Sequence, residues 1–488
     1  MTGLRAHSDF LGMSLGPLPS PARRRAPGPQ GHLLLGNHRE ILRKGWLQFT
    51  VDAWRAAGDI IRFRIGPLVG HIIAQPDAAA HVLVKNRQNY EKGLTYTRLR
   101  VMTGLGLLTS EGDLWQRQRR LLQPPFTARA VTRFDHVMTS TAETLLARWQ
   151  AASAQGQPVD VHRGMLELTL RIIGRSMLGV DLDQEGGRVA AAYHQACQLL
   201  DRRFAAVADL PLAIPTPANL RMRRALRTLD DFIYRLIDER RAASSAPQAA
   251  PPEPIDLAAA GPAGRPERDL LDKLLNASEA GTGMSRQQVR DELMTMFFAG
   301  HETTAQALTW TWYALSQHPD VEARLHDELD HVLAGRPPTA QDLAQLPYTR
   351  RVVDETLRLF PPVWLFPRGA IHEDQLGGYH VPAGSLVFPC PYLIHRHPDA
   401  WERPETFDPD RFTPERFNDR MRAAYIPFGV GPRACLGNHY ALQEAVLLVA
   451  LFAQRYRFRL LPGHRVEPQS AITLYPAGGL PMRLEPRP

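Results

Sequence analysis

Apolar residues recur at helical spacing through most of the chain, and the stretches that lack this rhythm mark its turns, strands and loops. From Glu111 to about Leu333 most segments carry the i, i+3, i+4 pattern of helices with one buried face. The longest starts at Ser285, where Gln288 three residues on completes a capping-box signature, and His318-Pro319 stops it. Leu293, Met296, Phe297, Ala299 and Gly300 leave it little polar face, as a helix crossing the middle of a protein requires. Ahead of this region, Ile60–Ile65 and Gly70–Ala74 read as two strands joined at Gly66-Pro67, a hairpin by pattern. The last third alternates strand and turn signals, such as Gly377-Gly378 and Pro382-Ala383-Gly384, with a Pro/Asp-rich meander. Small strands are expected around Ala471–Pro476 and Met482–Leu484. The pattern predicts an α+β fold, mainly helical.

Two stretches carry no periodicity. Residues 1–30 are rich in proline and arginine and read as an extended arm, so the expected catalytic domain is 31–488. Residues 242–268, a run of Ala, Pro, Ser and Gly, cannot bury a core and read as a flexible insertion within that single domain.

Composition changes this picture little. Of 488 residues 44% are hydrophobic and 22% charged, which suits a globular protein with a sizeable core. The net charge is +8, but the basic residues are scattered without a lysine-rich tail or interleaved aromatics, so no nucleic-acid partner is expected. The first thirty residues hold Arg5, Arg23, Arg24 and Arg25 and no apolar run near the roughly 20 residues that span a bilayer. No membrane anchor or secretory signal is expected. The three cysteines, Cys197, Cys390 and Cys435, are far apart and form no C-x-x-C pair, which argues against disulfides or structural zinc and for a cytoplasmic location.

One of the three has a special setting. Phe428-Gly-Val-Gly-Pro-Arg-Ala-Cys-Leu-Gly437 places Cys435 in a glycine-rich loop that runs into an apolar helical stretch, Tyr440 to Arg455. A cysteine opening a helix is expected to have its pKa lowered by the helix dipole. Such a thiolate, backed by the Phe428 ring, suits ligation of haem iron. The glycines also fit a G-x-G-x-x-A dinucleotide turn, but no acidic residue follows at Arg455 to Phe458 and Pro432 sits awkwardly there. The loop resembles the haem-binding signature of the cytochrome P450 family, F-x-x-G-x-R-x-C-x-G, at every fixed position.

Further motifs follow in the family's order. Ala299-Gly-His-Glu-Thr-Thr304 resembles the acid–alcohol pair of its oxygen-activating helix, which assigns Glu302 to proton relay and Thr303 to steadying bound oxygen in a widened groove beside Ala299. A threonine that only back-bonds to the Ala299 carbonyl is the structural alternative. Trp115 and Arg119 resemble the W-x-x-x-R pair that holds a haem propionate, and Arg368, Arg433 and Lys92 match further propionate contacts. Phe428, Cys435 and Gly437 complete the expected cofactor cradle, with Cys435 as the metal ligand. Glu355-Thr-Leu-Arg358, with Arg411 in Phe407-Asp-Pro-Asp-Arg-Phe412, looks like the family's buried Glu-Arg-Arg network. By position in the family pattern Leu108, Phe297, Phe298, Ala299, Val363, Leu365, Ile472 and Thr473 line the substrate pocket, although core packing explains the same residues equally well.

The resemblance implies a cytochrome P450 fold with haem b between the long helix and the cysteine helix. It also implies a monooxygenase that uses O2 to hydroxylate or epoxidise an apolar small molecule such as a fatty acid, terpenoid or steroid. Its electrons would come indirectly from NAD(P)H through a separate ferredoxin or flavodoxin and its reductase, with no fused redox domain. Arg117, Arg120, Arg420 and Arg422 are candidates for the surface that meets this acidic donor. A peroxide-driven enzyme or a haem carrier would not need Glu302 and Thr303.

Overall fold

The structure is a computed structural model that describes residues 24–182, 187–205, 210–245, 269–276, 278–279 and 282–487. Its centre is the helix Arg286–Gln317, which opens with the expected capping box between Ser285 and Gln288 and ends at His318. This helix is buried along nearly its whole length. Small residues let it approach the neighbouring helix Val161–Ile173: a Cβ on Gly300 would stand 2.6 Å from Ile173 Cδ1. His301 fastens the crossing, with Nε2 2.9 Å from the Leu166 carbonyl and its own carbonyl accepting from Thr169 Oγ1 at 3.0 Å.

Helix Asn438–Ala453 is hydrophobic all round and buried accordingly, and it packs against the long helix and against Asp135–Ala154. Together with Arg188–Ala205, Pro217–Ser245 and Pro347–Leu359 these helices enclose the main apolar core. Ala242–Ser245 belongs to the end of the second of these helices rather than to the expected loop. The rest of that loop, 246–268, lies outside the described residues.

A five-stranded sheet flanks the helices in the order Ile60–Ile65, Leu68–Ile73, Leu386–Pro389, Arg368–Ala370, Tyr90–Glu91. The hairpin turns at Gly66-Pro67 as expected. Pairing begins at Ile65↔Leu68, so the second strand starts two residues before the expected Gly70. Beyond it Leu386 pairs in parallel with Gly70, and Val387 pairs with Arg368, which draws Arg368 into the molecule on a buried strand. The arm residues Arg24–Gln30 lie along this sheet: Arg62 N donates to the Pro27 carbonyl at 2.7 Å, and Ala26 is buried. A two-stranded hairpin, Pro468–Ser470 with Leu474–Pro476, carries Ala471, Ile472 and Thr473 at its tip.

Glu355, Arg358 and Arg411 meet in the interior with essentially no solvent contact. Arg358 grips Glu355 through Nε and Nη2 at 2.7 and 2.8 Å, and Arg411 Nε donates to the same carboxylate at 3.3 Å. The remaining arginine donors reach carbonyls of the meander, among them Pro404 at 2.7 Å and Arg403 at 2.7 Å. A buried ion pair holds only when its spare donors are satisfied in this way. Asp410, beside this network, pairs outward with Arg324 at 2.8 and 3.0 Å.

Candidate active site

The cysteine loop is closed by backbone bonds: Cys435 N donates to the Phe428 carbonyl at 2.8 Å, Ala434 N to Gly431 at 3.0 Å, and Gly429 N to Ile426 at 3.0 Å. Gly431 has φ +76°, and a Cβ there would lie 2.8 Å from the Leu83 carbonyl oxygen, so the turn demands glycine. His395 links this loop to the Glu355 network. Its Nδ1 lies 3.0 Å from the Arg358 carbonyl, and its Nε2 accepts the Ile426 N–H at 3.0 Å. Burial pushes the His395 pKa down to about 3, so the ring is neutral, and its partners require the Nδ1–H tautomer. This histidine has no sequence signal, because a lone histidine in the Ile-His-Arg-His run carries no motif.

Cys435 opens onto a cavity of about 820 Å³ between the loop and the long helix. The sulfur faces the cavity, while protein surrounds it on every other side. Burial therefore raises its pKa, against the backbone amide of Gly437 and the charge of Arg119, which favour the thiolate. This reverses the sequence expectation. The helix begins only at Asn438, so Cys435 precedes its N-cap and receives less of the dipole than a first-turn residue.

Cations converge on one side of the same cavity. Arg433 donates to the Ser110 carbonyl at 3.0 Å, contacts Glu111 and stacks 3.7 Å from the Trp115 ring centroid. Arg119 Nη1 donates to the Ala434 carbonyl at 2.9 Å, and Arg368 is buried beside them. Lys92 is buried, and its ammonium donates to the carbonyls of Leu107 and Leu108. Burial, then repulsion from Arg433, lowers the Lys92 pKa well below its usual value, with Arg368 adding to the repulsion. Burial likewise lowers that of Arg433 to about 10 and that of Arg119 to a lesser degree. Buried cations that repel one another call for an anionic partner.

The opposite wall is the Ala299–Thr304 stretch. Thr303 Oγ1 donates to the Ala299 carbonyl at 2.6 Å, yet the helix stays continuous through this point, with no break. Glu302 also faces the cavity, where Thr473 Oγ1 donates to its Oε1, and burial raises its pKa.

The family model described as Cytochrome P450 matches residues 26–478. The chain belongs to the cytochrome P450 family. It is a P450 monooxygenase, and membership brings a haem cofactor and the use of O2. Cyclooctatin synthase of Streptomyces melanosporofaciens is 35% identical, over 98% of this chain and all of that one. Pentalenene oxygenase of Streptomyces avermitilis is 33% identical, over 93% of this chain and 96% of that one. The crystal structure of the cytochrome P450DA heme domain superposes with a TM-score of 0.83 at 26% identity, covering 96% and 98% of the two chains.

The residues of this P450 fit haem. A single thiol stands at one face of the cavity, and four cations crowd one edge where two propionates would neutralise them. Trp115, Phe428, Gly437 and Ala299 line the space between, so every expected cofactor contact borders it.

The expected pocket residues Leu108, Phe298, Val363, Leu365, Ile472 and Thr473 border it as well. Phe297 does not. It sits one position, about 100° of helical turn, round from Phe298 and packs against the Tyr193 ring at 6.1 Å. A helix apolar on all sides gives no sequence cue to which phenylalanine faces the ligand.

Asp201, Tyr96, Trp364 and Phe366 line the cavity without having been picked out from the sequence. Asp201 had a readable signal: Tyr193, Cys197 and Asp201 stand at i, i+4 and i+8, so a carboxylate occupies the inward stripe of its helix. Burial and then Glu302 raise its pKa to about 7, opposed by the Ile472 backbone amide.

Of the four arginines expected to meet a donor, Arg120, Arg420 and Arg422 are exposed, while Arg117 is half-buried and reaches the Gly283 carbonyl at 3.4 Å. Arg422 also pairs with Asp419 at 3.6 Å. Among the described residues no helix is long and apolar enough to cross a membrane.

Proposed function

We propose that this P450 hydroxylates or epoxidises a cyclic terpenoid, with electrons from NAD(P)H delivered by a ferredoxin or flavodoxin and its reductase. The observation that carries the reading is one cavity bounded by the Cys435 thiol on one wall and by Glu302, Thr303 and a largely apolar lining on the other. Relatives named for oxygenating cyclooctat-9-en-7-ol and pentalenene, cyclic compounds by name, support the choice among lipophiles.

Haem, when bound, supplies the centre at which O2 is activated, with Cys435 as its thiolate ligand. The protein's own part is positional and acid–base. Lys92, Trp115, Arg119, Arg368 and Arg433 would hold the haem propionates, while Phe428, Ala299 and Gly437 would border the rest of the group. Thr303 offers a hydroxyl on the wall opposite Cys435, oriented by its bond to Ala299. Glu302, whose pKa burial raises, passes protons towards Thr303 and is held in place by Thr473. Leu108, Phe298, Val363, Leu365 and Ile472 exclude water and orient the substrate.

Titration of the haem-loaded protein with cyclic sesquiterpenes and diterpenes, a long-chain fatty acid and a steroid tests the substrate class. The terpenoids are expected to give the largest low-to-high-spin shift. They are also expected to give oxygenated product with ferredoxin, reductase and NADPH. A shift confined to the fatty acid or the steroid would overturn it.

A further inference from the structure

Among the described residues, Asp201 is the one carboxylate on the cavity wall contributed by a helix other than the long central one. It interrupts a largely apolar lining, in which Phe204 from the same helix and Phe298, Ile472 and Val363 from other elements border the space, while the exposed Arg202 borders it beside Asp201. The Ala471–Thr473 tip lies against both acids: Thr473 Oγ1 donates to Glu302, and the Ile472 amide acts on Asp201.

Two hydroxyls nearby are already engaged. The Tyr193 hydroxyl points to the Phe297 carbonyl at 3.4 Å, and Tyr475 donates to Gln469 at 3.1 Å. Asp201 Oδ1 is buried without a hydrogen-bond partner, and neither of the two groups that act on this carboxyl, Glu302 and the Ile472 amide, is a cation. A buried carboxyl oxygen left unpaired is costly, and a donor arriving with the ligand removes that cost.

We propose that Asp201 is a specificity-determining residue that accepts a hydrogen bond from a hydroxyl already present on an otherwise apolar, ring-bearing substrate. This rests on the terpenoid reading and deepens it: the preferred substrate is an alcohol rather than the bare hydrocarbon. Sites built to bond a substrate hydroxyl discriminate strongly against the analogue without it, because the protein group is then left unpaired.

The test uses the haem-loaded protein and three probes of one skeleton, cedrol, cedrene and cedryl methyl ether, followed by the spin-state shift. Cedrol is expected to bind about tenfold more tightly than cedrene. The ether keeps the oxygen but lacks the donor, and should bind like cedrene. Asp201→Leu should erase the preference for cedrol while leaving cedrene affinity unchanged or improved, and Asp201→Asn, which keeps an acceptor, should retain part of it.

A wild-type protein that binds all three probes alike overturns the proposal but leaves the terpenoid reading standing. So does an Asp201→Leu variant that keeps the preference. A variant that keeps it and instead loses product per NADPH with cedrene assigns Asp201 to proton delivery, which also overturns it. No shift with any probe, alongside a clear shift with a fatty acid, removes the terpenoid reading and the proposal together.

Discussion

On the proposed reading three side chains carry the chemistry of the cavity, and each answers to a single substitution. Cys435→Ser is expected to abolish the thiolate signature of the reduced carbonyl spectrum, and Cys435→His to replace it with that of an imidazole ligand. Cys197 and Cys390 cannot substitute, since one sits beside Tyr193 and the other donates to the Trp364 carbonyl at 3.3 Å. Thr303→Ala should leave haem content and substrate-induced spectra intact while product per NADPH falls several-fold and H2O2 rises. Among the described residues its hydroxyl bonds only to the Ala299 carbonyl of its own helix, so its loss breaks no hydrogen bond to another element there. Glu302→Gln should instead slow oxygenation by about a hundredfold or more, the usual scale for losing a positioned proton donor. Wild-type coupling in the threonine variant, together with a wild-type rate in the glutamate variant, would remove both from the proton path. The sequence named all three residues but misjudged the thiol's environment. The helix dipole acts most on a cysteine in the first turn, and the chain places two further residues between Cys435 and Asn438.

Among the elements, the boundaries that rest on local chemistry were legible, and the facing of side chains was not. A capping box and a His-Pro stop fixed both ends of the long helix, because a cap is a contact between residues close in sequence. Whether Phe297 or Phe298 meets the ligand depends on which neighbour packs where, and no periodicity encodes that in a helix buried on all sides. The same limit hid His395, whose two partners are 37 and 31 residues away.

That histidine gives the Glu355–Arg358–Arg411 network a route to the thiol: Arg358 carbonyl, His395 ring, Ile426 amide, then the turn that closes at Cys435. Glu355→Ala leaves two arginines buried without their anion and should cost about 3–5 kcal/mol, seen as a lower unfolding midpoint and loss of haem. His395→Phe keeps an aromatic ring, slightly larger than the imidazole, but removes both bonds. It should destabilise less, by about 1–3 kcal/mol, and broaden or shift the thiolate carbonyl band because the loop is no longer pinned. A normal band in a destabilised His395→Phe protein would reduce the histidine to packing.

For the whole molecule, the question is how electrons reach an interior thiol. The cavity is lined on its thiol side by the Gly429–Gly437 loop, and the helix Gly112–Leu122 reaches that loop through the Arg119 bond to Ala434. A donor that docks over these two elements therefore has the shortest path inward. Three exposed arginines sit there or just before the loop in sequence: Arg120 on the helix, Arg420 and Arg422 on Asp419–Ala424. A net charge of +8 biases long-range approach of an acidic partner, but only local charges select the face. Arg117, engaged at Gly283, contributes less than its sequence position suggested. The double variant Arg120→Glu/Arg420→Glu should slow the first electron transfer from an acidic ferredoxin by about tenfold at low salt, within the usual range for steering. The difference should shrink as ionic strength brings the screening length to ~8 Å. Substrate-induced spectra should stay unchanged, since neither residue touches the cavity. Equal reduction rates for wild type and variant at low salt, across several acidic donors, would move the docking face elsewhere.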